Sequence, residues 1–256
     1  MIDIHSHILP GIDDGAKDME CSINMLKHAV ENGTNAIIAT PHYYRNNFEV
    51  EYNRVIEELE KLRAAAYRHN IDIDIYSGQE VFADISVIEL YKRGIINGLC
   101  GTNYMLIEFN MFKYSKEYLD IIYEIGLLGV TPVIAHPERY LYIIENIELI
   151  NNFIAEGCLL QLDSGSITGT FGKRVEKTAR NIIESGAYHF LGSDAHSTGI
   201  RNTGLSHSME TIKKINSYEA NIMERNSQLL IMNEYIPSDG NKVVQKKSLF
   251  SIFKKG

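Results

Sequence analysis

Within the first seven residues, Asp3-Ile4-His5-Ser6-His7 sets two histidines one residue apart, flanked by Ile2, Ile4, Ile8 and Leu9. Alternate side chains of a β-strand share a face, so both imidazoles point the same way and can grip one cation. An HxH pair alone also arises by chance. It gains weight because Asp14, His42, Glu80, Glu108, His136, Asp194 and His196 recur near the ends of later apolar runs. Imidazole and carboxylate donors without thiolate suit Mn, Zn or Fe. Nine donors exceed the needs of one ion, so two or three divalent ions are expected, bridged by carboxylates that each offer two oxygens.

Charge sharpens this expectation. Four carboxylates and three divalent ions would leave the site at roughly +2, so a phosphate dianion is attracted locally. This holds although the whole chain, with 25 Lys and Arg against 33 Asp and Glu, carries −8. Arg139 lies three residues past His136 and Arg201 seven past Asp194, which puts both on the same rim. Guanidinium forks match phosphate oxygens in a bidentate way. His28, His69, His189 and His207 fall on helices or at a strand start and read as structural or solvated.

These side chains need elements to bring them together. Short apolar strands are expected near 2–7, 35–40, 71–76, 104–108, 130–135, 158–163 and 188–191, each delivering a polar residue at its end. Helices are expected over 18–32, 48–69, 84–93, 115–127, 139–156, 172–185, 205–216, 218–224 and 226–233. Four units repeat one order of helix, glycine (Gly33, Gly129, Gly157, Gly186), strand and polar residue. That grammar predicts right-handed βα crossovers and a distorted TIM-like (β/α)7 barrel, with the metal site at the carboxyl ends of its strands.

At 256 residues and 45% hydrophobic content the chain suits one large domain, taken as 1–236. No apolar run approaches a bilayer span and no secretory leader opens the sequence, so a cytoplasmic protein is expected. The acidic balance argues against nucleic acid as a partner. Cys21, Cys100 and Cys158 are followed six residues on by Lys27, Leu106 and Ser164, so the Cys-to-Arg loop of thiolate phosphatases is absent and buried free thiols are expected. Residues 237–256 form a basic, partly apolar tail with Lys242, Lys246, Lys247, Lys254 and Lys255 among Leu249, Phe250, Ile252 and Phe253. It reads as a frayed soluble tail or as a weak, reversible contact with the anionic inner face of a membrane. The loop Tyr43-Tyr44-Arg45-Asn46 follows a candidate ligand and borders the expected mouth.

Taken together, HSH at 5–7, DDG at 13–15, TPH at 40–42, GQE at 78–80, LIEF at 106–109, PVIAHPER at 132–139 and SDAH at 193–196 resemble the polymerase and histidinol phosphatase superfamily. Within it, MIDIHSHILPGIDDG and PVIAHPER are similar to bacterial manganese-dependent protein-tyrosine phosphatases encoded with capsule and exopolysaccharide genes. The resemblance spans about residues 1–235. It implies a trinuclear site: His5, His7, Glu80 and Asp194 on one ion; Glu80, Glu108 and His136 on a second; Asp14, His42 and His196 on a third. Members of the superfamily sometimes carry His where Asp14 and Glu108 stand. The expected chemistry is water-driven hydrolysis of a phosphotyrosine ester, with Arg139 and Arg201 on the phosphoryl oxygens and His42, His196 or a metal-bound water as proton source. The implied partner is the phosphotyrosine-bearing C-terminal tail of a bacterial tyrosine kinase. A small-molecule phosphomonoesterase of the histidinol phosphatase kind is the alternative.

Overall fold

The computed structural model describes residues 1–238 and 241–245. Its strands are parallel except for one short pair. They are β1 (Ile2–Ser6), β2 (Ala36–Ala39), β3 (His42–Tyr44), β4 (Phe48–Glu49), β5 (Asp74–Ser77), β6 (Glu80–Phe82), β7 (Tyr104–Glu108), β8 (Thr131–Ile134), β9 (Leu159–Asp163) and β10 (Phe190–Gly192). Hydrogen bonding orders them β1-β2-β5 and β10-β9-β8-β7-β6-β3-β4.

The two sheets are one wall. β2 continues into β3 across Thr40-Pro41, and β5 into β6 across Gly78-Gln79, so each pair is one stave bent near its middle. β2 pairs with β5 below the bend and β3 with β6 above it. Gly78 allows the bend because a Cβ there would lie 2.8 Å from Leu99 and 3.0 Å from Ile38. The last stave returns to the first: Asp194 N–H donates to the His5 carbonyl at 2.8 Å, and His7 N–H to that of Ala195 at 2.9 Å. Seven staves therefore encircle one axis, as the βα repeat predicts.

Helices cover the outside through the expected apolar stripes. In α2 (Tyr52–Arg68) the buried residues Val55, Leu59, Leu62 and Ala66 recur every three or four positions. In α8 (Lys173–Glu184), Val175, Ala179, Ile182 and Ile183 do the same. Inside the barrel, the two-residue strand period puts Leu106 below Glu108 and Leu159 below Gln161. Ile4, Ile38, Leu106, Val133, Leu159 and Phe190 belong to one buried cluster, so an apolar plug supports a polar mouth.

Several expected elements differ. The helix expected over 48–69 begins only at Tyr52, because Phe48–Glu49 pairs back on β3 as a hairpin. The one expected over 139–156 is four pieces, including α5 (Leu141–Glu145) and α6 (Ile150–Ala155). Asn146 breaks it by leaving helical geometry (φ −141, ψ 89) and accepting the Glu148 N–H through its side chain. The two helices expected over 218–224 and 226–233 are one, α10 (Ser217–Ile231), capped by Asn216. Among the thiols only Cys158 is buried; Cys21 and Cys100 are half-buried. Residues 241–245 are not frayed: Val243 is buried and exchanges both backbone bonds with the Asn151 side chain, at 2.8 and 2.9 Å. Lys246 onward, which carries most of the expected membrane contact, lies outside the described residues.

His189, just before β10, gives a stability prediction. Its ring accepts the Leu160 N–H at 3.1 Å and bonds the Pro237 backbone, and burial lowers its pKa to about 4. The unfolded chain takes up a proton below its ordinary value of about 6.5 that the folded chain refuses. This contribution is complete above pH 6.5 and is lost as pH falls toward 4, by about 3 kcal/mol. His189→Gln, which cannot charge, is expected to show a shallower fall of Tm between pH 6.5 and 4.5 in scanning calorimetry.

Candidate metal centre

All nine predicted donors meet at the carboxyl ends of the staves. His5 and His7 leave β1, His42 opens β3, Glu80 opens β6, Glu108 ends β7, His136 follows β8, and Asp194 and His196 follow β10. His136 and Asp194 sit at positive φ (34 and 48), which turns each side chain inward immediately past its strand.

The tightest group is His5 Nε2, His7 Nε2, Glu80 Oε2 and Asp194 Oδ1. Five of its six edges lie between 3.3 and 3.5 Å: 3.3 Å between the two nitrogens, 3.3 and 3.5 Å from His5 to Glu80 and Asp194, and 3.3 Å from His7 to each. A tetrahedron with such edges has its centre about 2.0–2.1 Å from every corner, a normal metal–N/O bond length. Its charge asks for a cation as well. Burial opposes protonation of His5, yet Glu80 and Asp194 raise its pKa to about 9. His7 is likewise held well above the ordinary value, against burial, chiefly by Asp13. Bound cations supply the same stabilisation without protons.

Two further groups adjoin it. His7, Asp14, His42 and His196 place donor atoms within 4.8 Å of one another, as do His42, Glu80 and Glu108. His7 thus joins the set expected to hold Asp14, His42 and His196. His136 Nε2 lies 3.0 Å from Glu80 Oε1 and 3.8 Å from Glu108 Oε1, so Glu80 stands between the groups as its two oxygens suggest. Burial, with Glu80 and Asp194 nearby, raises Glu108 to about 8, while burial lowers His136 to about 4. The buried Nδ1 of His136 has no hydrogen-bond partner, and that of His42 forms no hydrogen bond although Glu80 Oε2 lies 3.2 Å away. Among imidazoles in a carboxylate-rich pocket, such atoms fit a site built for cations.

The far sides of the His5 and His7 rings are fixed by residues absent from the predicted set. His5 Nδ1 meets Gln161 Oε1 at 3.0 Å; the Gln161 amide donates to the Leu162 carbonyl, so its oxygen faces His5, which donates from Nδ1 and leaves Nε2 a lone pair. His7 Nδ1 donates to Asp13 Oδ2 at 2.7 Å, and the same oxygen accepts the His42 N–H. Asp13 Oδ1 accepts the Gly15 N–H, and Gly15 packs so closely that a Cβ would lie 2.1 Å from the His7 carbonyl oxygen. Outer partners of this kind set ring orientation and ligand basicity. Asp13→Asn would turn an amide donor toward an N–H, and metal affinity is expected to weaken about 10–100-fold with the fold intact, measured by metal titration.

Arg139 and Arg201 both reach Asp194. Their Nη atoms donate to its Oδ2 at 2.5 and 2.6 Å, while Oδ1 faces the histidines. Arg139 also donates to Asp163 Oδ2 at 3.1 Å and stacks 4.3 Å over the Phe171 ring. Both arginines line a cleft of about 240 Å³ with Asp14, His42, Glu80, Glu108, His136, Asp194 and His196. Asp13, Gln161 and Asp163 are what residue types alone did not single out. Their signal was a second aspartate in Asp13-Asp14 and two polar residues in an otherwise apolar strand.

Residues 1–232 match the family "Capsular polysaccharide synthesis, CpsB/CapC". The chain belongs to that family. Tyrosine-protein phosphatase YwqE of Bacillus subtilis (strain 168) is 34% identical over 256 residues, covering 99% of this chain and 100% of YwqE. Tyrosine-protein phosphatase CpsB of Streptococcus pneumoniae is 30% identical over 243 residues, 92% of this chain and 100% of CpsB. A crystal structure from work on YwqE and S. pneumoniae CpsB, described as unique metal-dependent tyrosine phosphatases, superposes with a TM-score of 0.91. It is 33% identical and the match covers 96% of this chain and 100% of that one. The histidinol phosphate phosphatase of Lactococcus lactis shares the fold alone, with a TM-score of 0.54 and 14% identity over 84% of this CpsB/CapC chain and 93% of its own.

Proposed function

We propose that this CpsB/CapC chain is a metal-dependent phosphotyrosine phosphatase holding two or three divalent ions, with Mn²⁺ as the leading candidate. The observation that carries the reading is the four-atom cluster of His5, His7, Glu80 and Asp194 beside two arginines. It stands in a chain that matches YwqE from end to end. The second ion would be held by Glu80, Glu108 and His136, and the third by Asp14, His42 and His196. Such ions supply Lewis-acid stabilisation of phosphoryl charge and lower the pKa of water so that it becomes a nucleophile near neutral pH.

The residues themselves do the positioning. Arg139 and Arg201 hold Asp194 in one orientation and place positive charge on the wall where phosphoryl oxygens gain charge in the transition state. Burial lowers the pKa of His42 and of His196, so both are neutral near pH 7, the state that ligates metal. Neutral imidazoles hold few protons to give, and a phenol leaving group with a pKa near 10 asks for little help. With water as nucleophile and no cysteine among the described residues lining the cleft, no phosphoenzyme is expected.

The substrate in this reading is the phosphotyrosine-bearing C-terminal tail of a bacterial tyrosine kinase that governs capsule or exopolysaccharide synthesis. The family's capsular role and the tyrosine phosphatases among its relatives support it. Among the described residues no helix is long and apolar enough to cross a membrane. A contact between the lysine and phenylalanine residues of the tail and anionic lipid is part of the proposal. Turnover of a phosphotyrosine peptide at least tenfold more efficient than that of histidinol phosphate is expected; the reverse order would favour a small-molecule phosphatase.

A further inference from the structure

The β3–β4 hairpin interrupts the βα repeat where the cleft opens, and it carries aromatic side chains into it. Tyr44 and Phe48 are paired in register across the two strands, which puts both on one face. Both line the cleft together with the candidate ligands. The Tyr44 ring stacks on Phe82 of β6 at 4.2 Å and 16°, and Phe48 stacks on His42 at 5.7 Å and 15°. The turn is fixed rather than loose: Asn46 adopts φ 63 and its N–H donates to Glu49 Oε1 at 2.7 Å, while Arg45 reaches Asp84 at 3.6 Å.

The cleft therefore has three unlike parts. Its floor is the imidazole and carboxylate cluster, one part of its wall is cationic through Arg139 and Arg201, and another is aromatic. A phosphoryl group drawn to the floor and the arginines leaves its ester substituent to meet the remaining wall. Tyr44 and Phe48 are both half-buried, so each has a ring face supported by a neighbour and an edge or face left open. Offset and edge-to-face contacts between rings favour an aryl group there over an alkyl chain.

We propose that Tyr44 and Phe48 form an aryl-binding wall that selects phosphotyrosine over phosphoserine and other alkyl phosphates. This rests on the phosphatase reading above and names the specificity-determining residues of that same site. They are positioning residues, since they would touch the ring of the substrate and not its phosphorus.

The test measures kcat/KM of the full-length metal-loaded protein for a phosphotyrosine peptide and for the same peptide carrying phosphoserine, with inhibition by inorganic phosphate as the third quantity. For Tyr44→Ala the ratio of phosphotyrosine to phosphoserine efficiency is expected to fall about tenfold, mainly through KM, while the phosphate inhibition constant moves less than threefold. Tyr44→Phe should retain most of the ratio. Phe48→Leu, which keeps apolar bulk beside His42, should lower the ratio in the same direction with bound metal unchanged. Equal losses on both peptides, or an unchanged ratio in both Tyr44→Ala and Phe48→Leu, would overturn the aryl wall while leaving the phosphatase reading intact. A wild-type protein that cleaves neither peptide would instead remove the phosphatase reading and this proposal with it.

Discussion

Asp194→Asn is expected to lower phosphotyrosine hydrolysis by about 10³-fold and to cost about 3–5 kcal/mol of stability. The side chain is 2% exposed and divides its labour: Oδ1 faces His5 and His7, and Oδ2 accepts from both Arg139 and Arg201. Asparagine tolerates the left-handed backbone at this position, so the substitution leaves the turn alone. It replaces one oxygen by an NH₂ group. Whichever way that amide lies, a donor confronts either two guanidinium groups or the space a cation needs. Arg139 retains Asp163, but Arg201 has no other carboxylate among its hydrogen-bond partners in the described residues. Breaking a buried ion pair strands charge, which is why the stability loss accompanies the loss of turnover. Kinetics on a phosphotyrosine peptide and a denaturant titration check the two effects together.

Glu80→Gln should be the most damaging single change to metal binding. Glu80 Oε2 lies 3.3 Å from His5, 3.3 Å from His7 and 3.2 Å from His42 Nδ1, and Oε1 lies 3.0 Å from His136. Among the described residues no other carboxylate lies within 4 Å of as many candidate histidines. The carboxylate is buried, and although burial favours its neutral form, His5 and His42 keep its pKa well below the ordinary range. A glutamine has one acceptor in place of two and no charge, so two adjoining clusters lose a shared member. Bound metal per chain is expected to fall further than in Asp14→Asn, and turnover by about 10³-fold. Asp14 is 49% exposed and belongs to one cluster, so its loss should cost about 10–100-fold. Elemental analysis of the two variants side by side distinguishes a shared ligand from a peripheral one.

The mouth of the barrel was the most legible part of the chain. Strand-end positions follow from short apolar runs, and a side chain that faces the mouth has to stand at such an end, so His5, His7, Glu80, Glu108, His136 and Asp194 stand out by position as candidate donors. The partners behind them did not. Whether Asp13 or Asp14 turns toward His7 depends on the Gly15 contact with the His7 backbone, a three-dimensional fact. Gln161 lies in a strand buried along its whole length, where an amide is easily taken for a tolerated exception. Spacing puts Arg139 and Arg201 near the strand ends, and both line the cleft, but their grip on Asp194 is a tertiary pairing that spacing does not encode.

The larger elements show the same division. The apolar positions of 139–156 look continuous, yet one side chain–backbone bond at Asn146 is enough to restart the chain as separate short helices. The stave bends at Pro41 and Gly78 come from packing against β1 and Leu99, so a linear reading sees whole strands where there are halves. The β3–β4 hairpin hides for a related reason. Its second strand has only two residues, too few for any alternation to show.

The most direct measurement is metal content taken together with turnover of a phosphotyrosine peptide, before and after exhaustive chelation. The protein as isolated is expected to carry at least two divalent ions per chain, to lose hydrolysis as they are stripped, and to regain it when Mn²⁺ is returned. Hydrolysis that continues at full rate in protein shown by elemental analysis to be free of metal would contradict a catalytic centre built on His5, His7, Glu80 and Asp194.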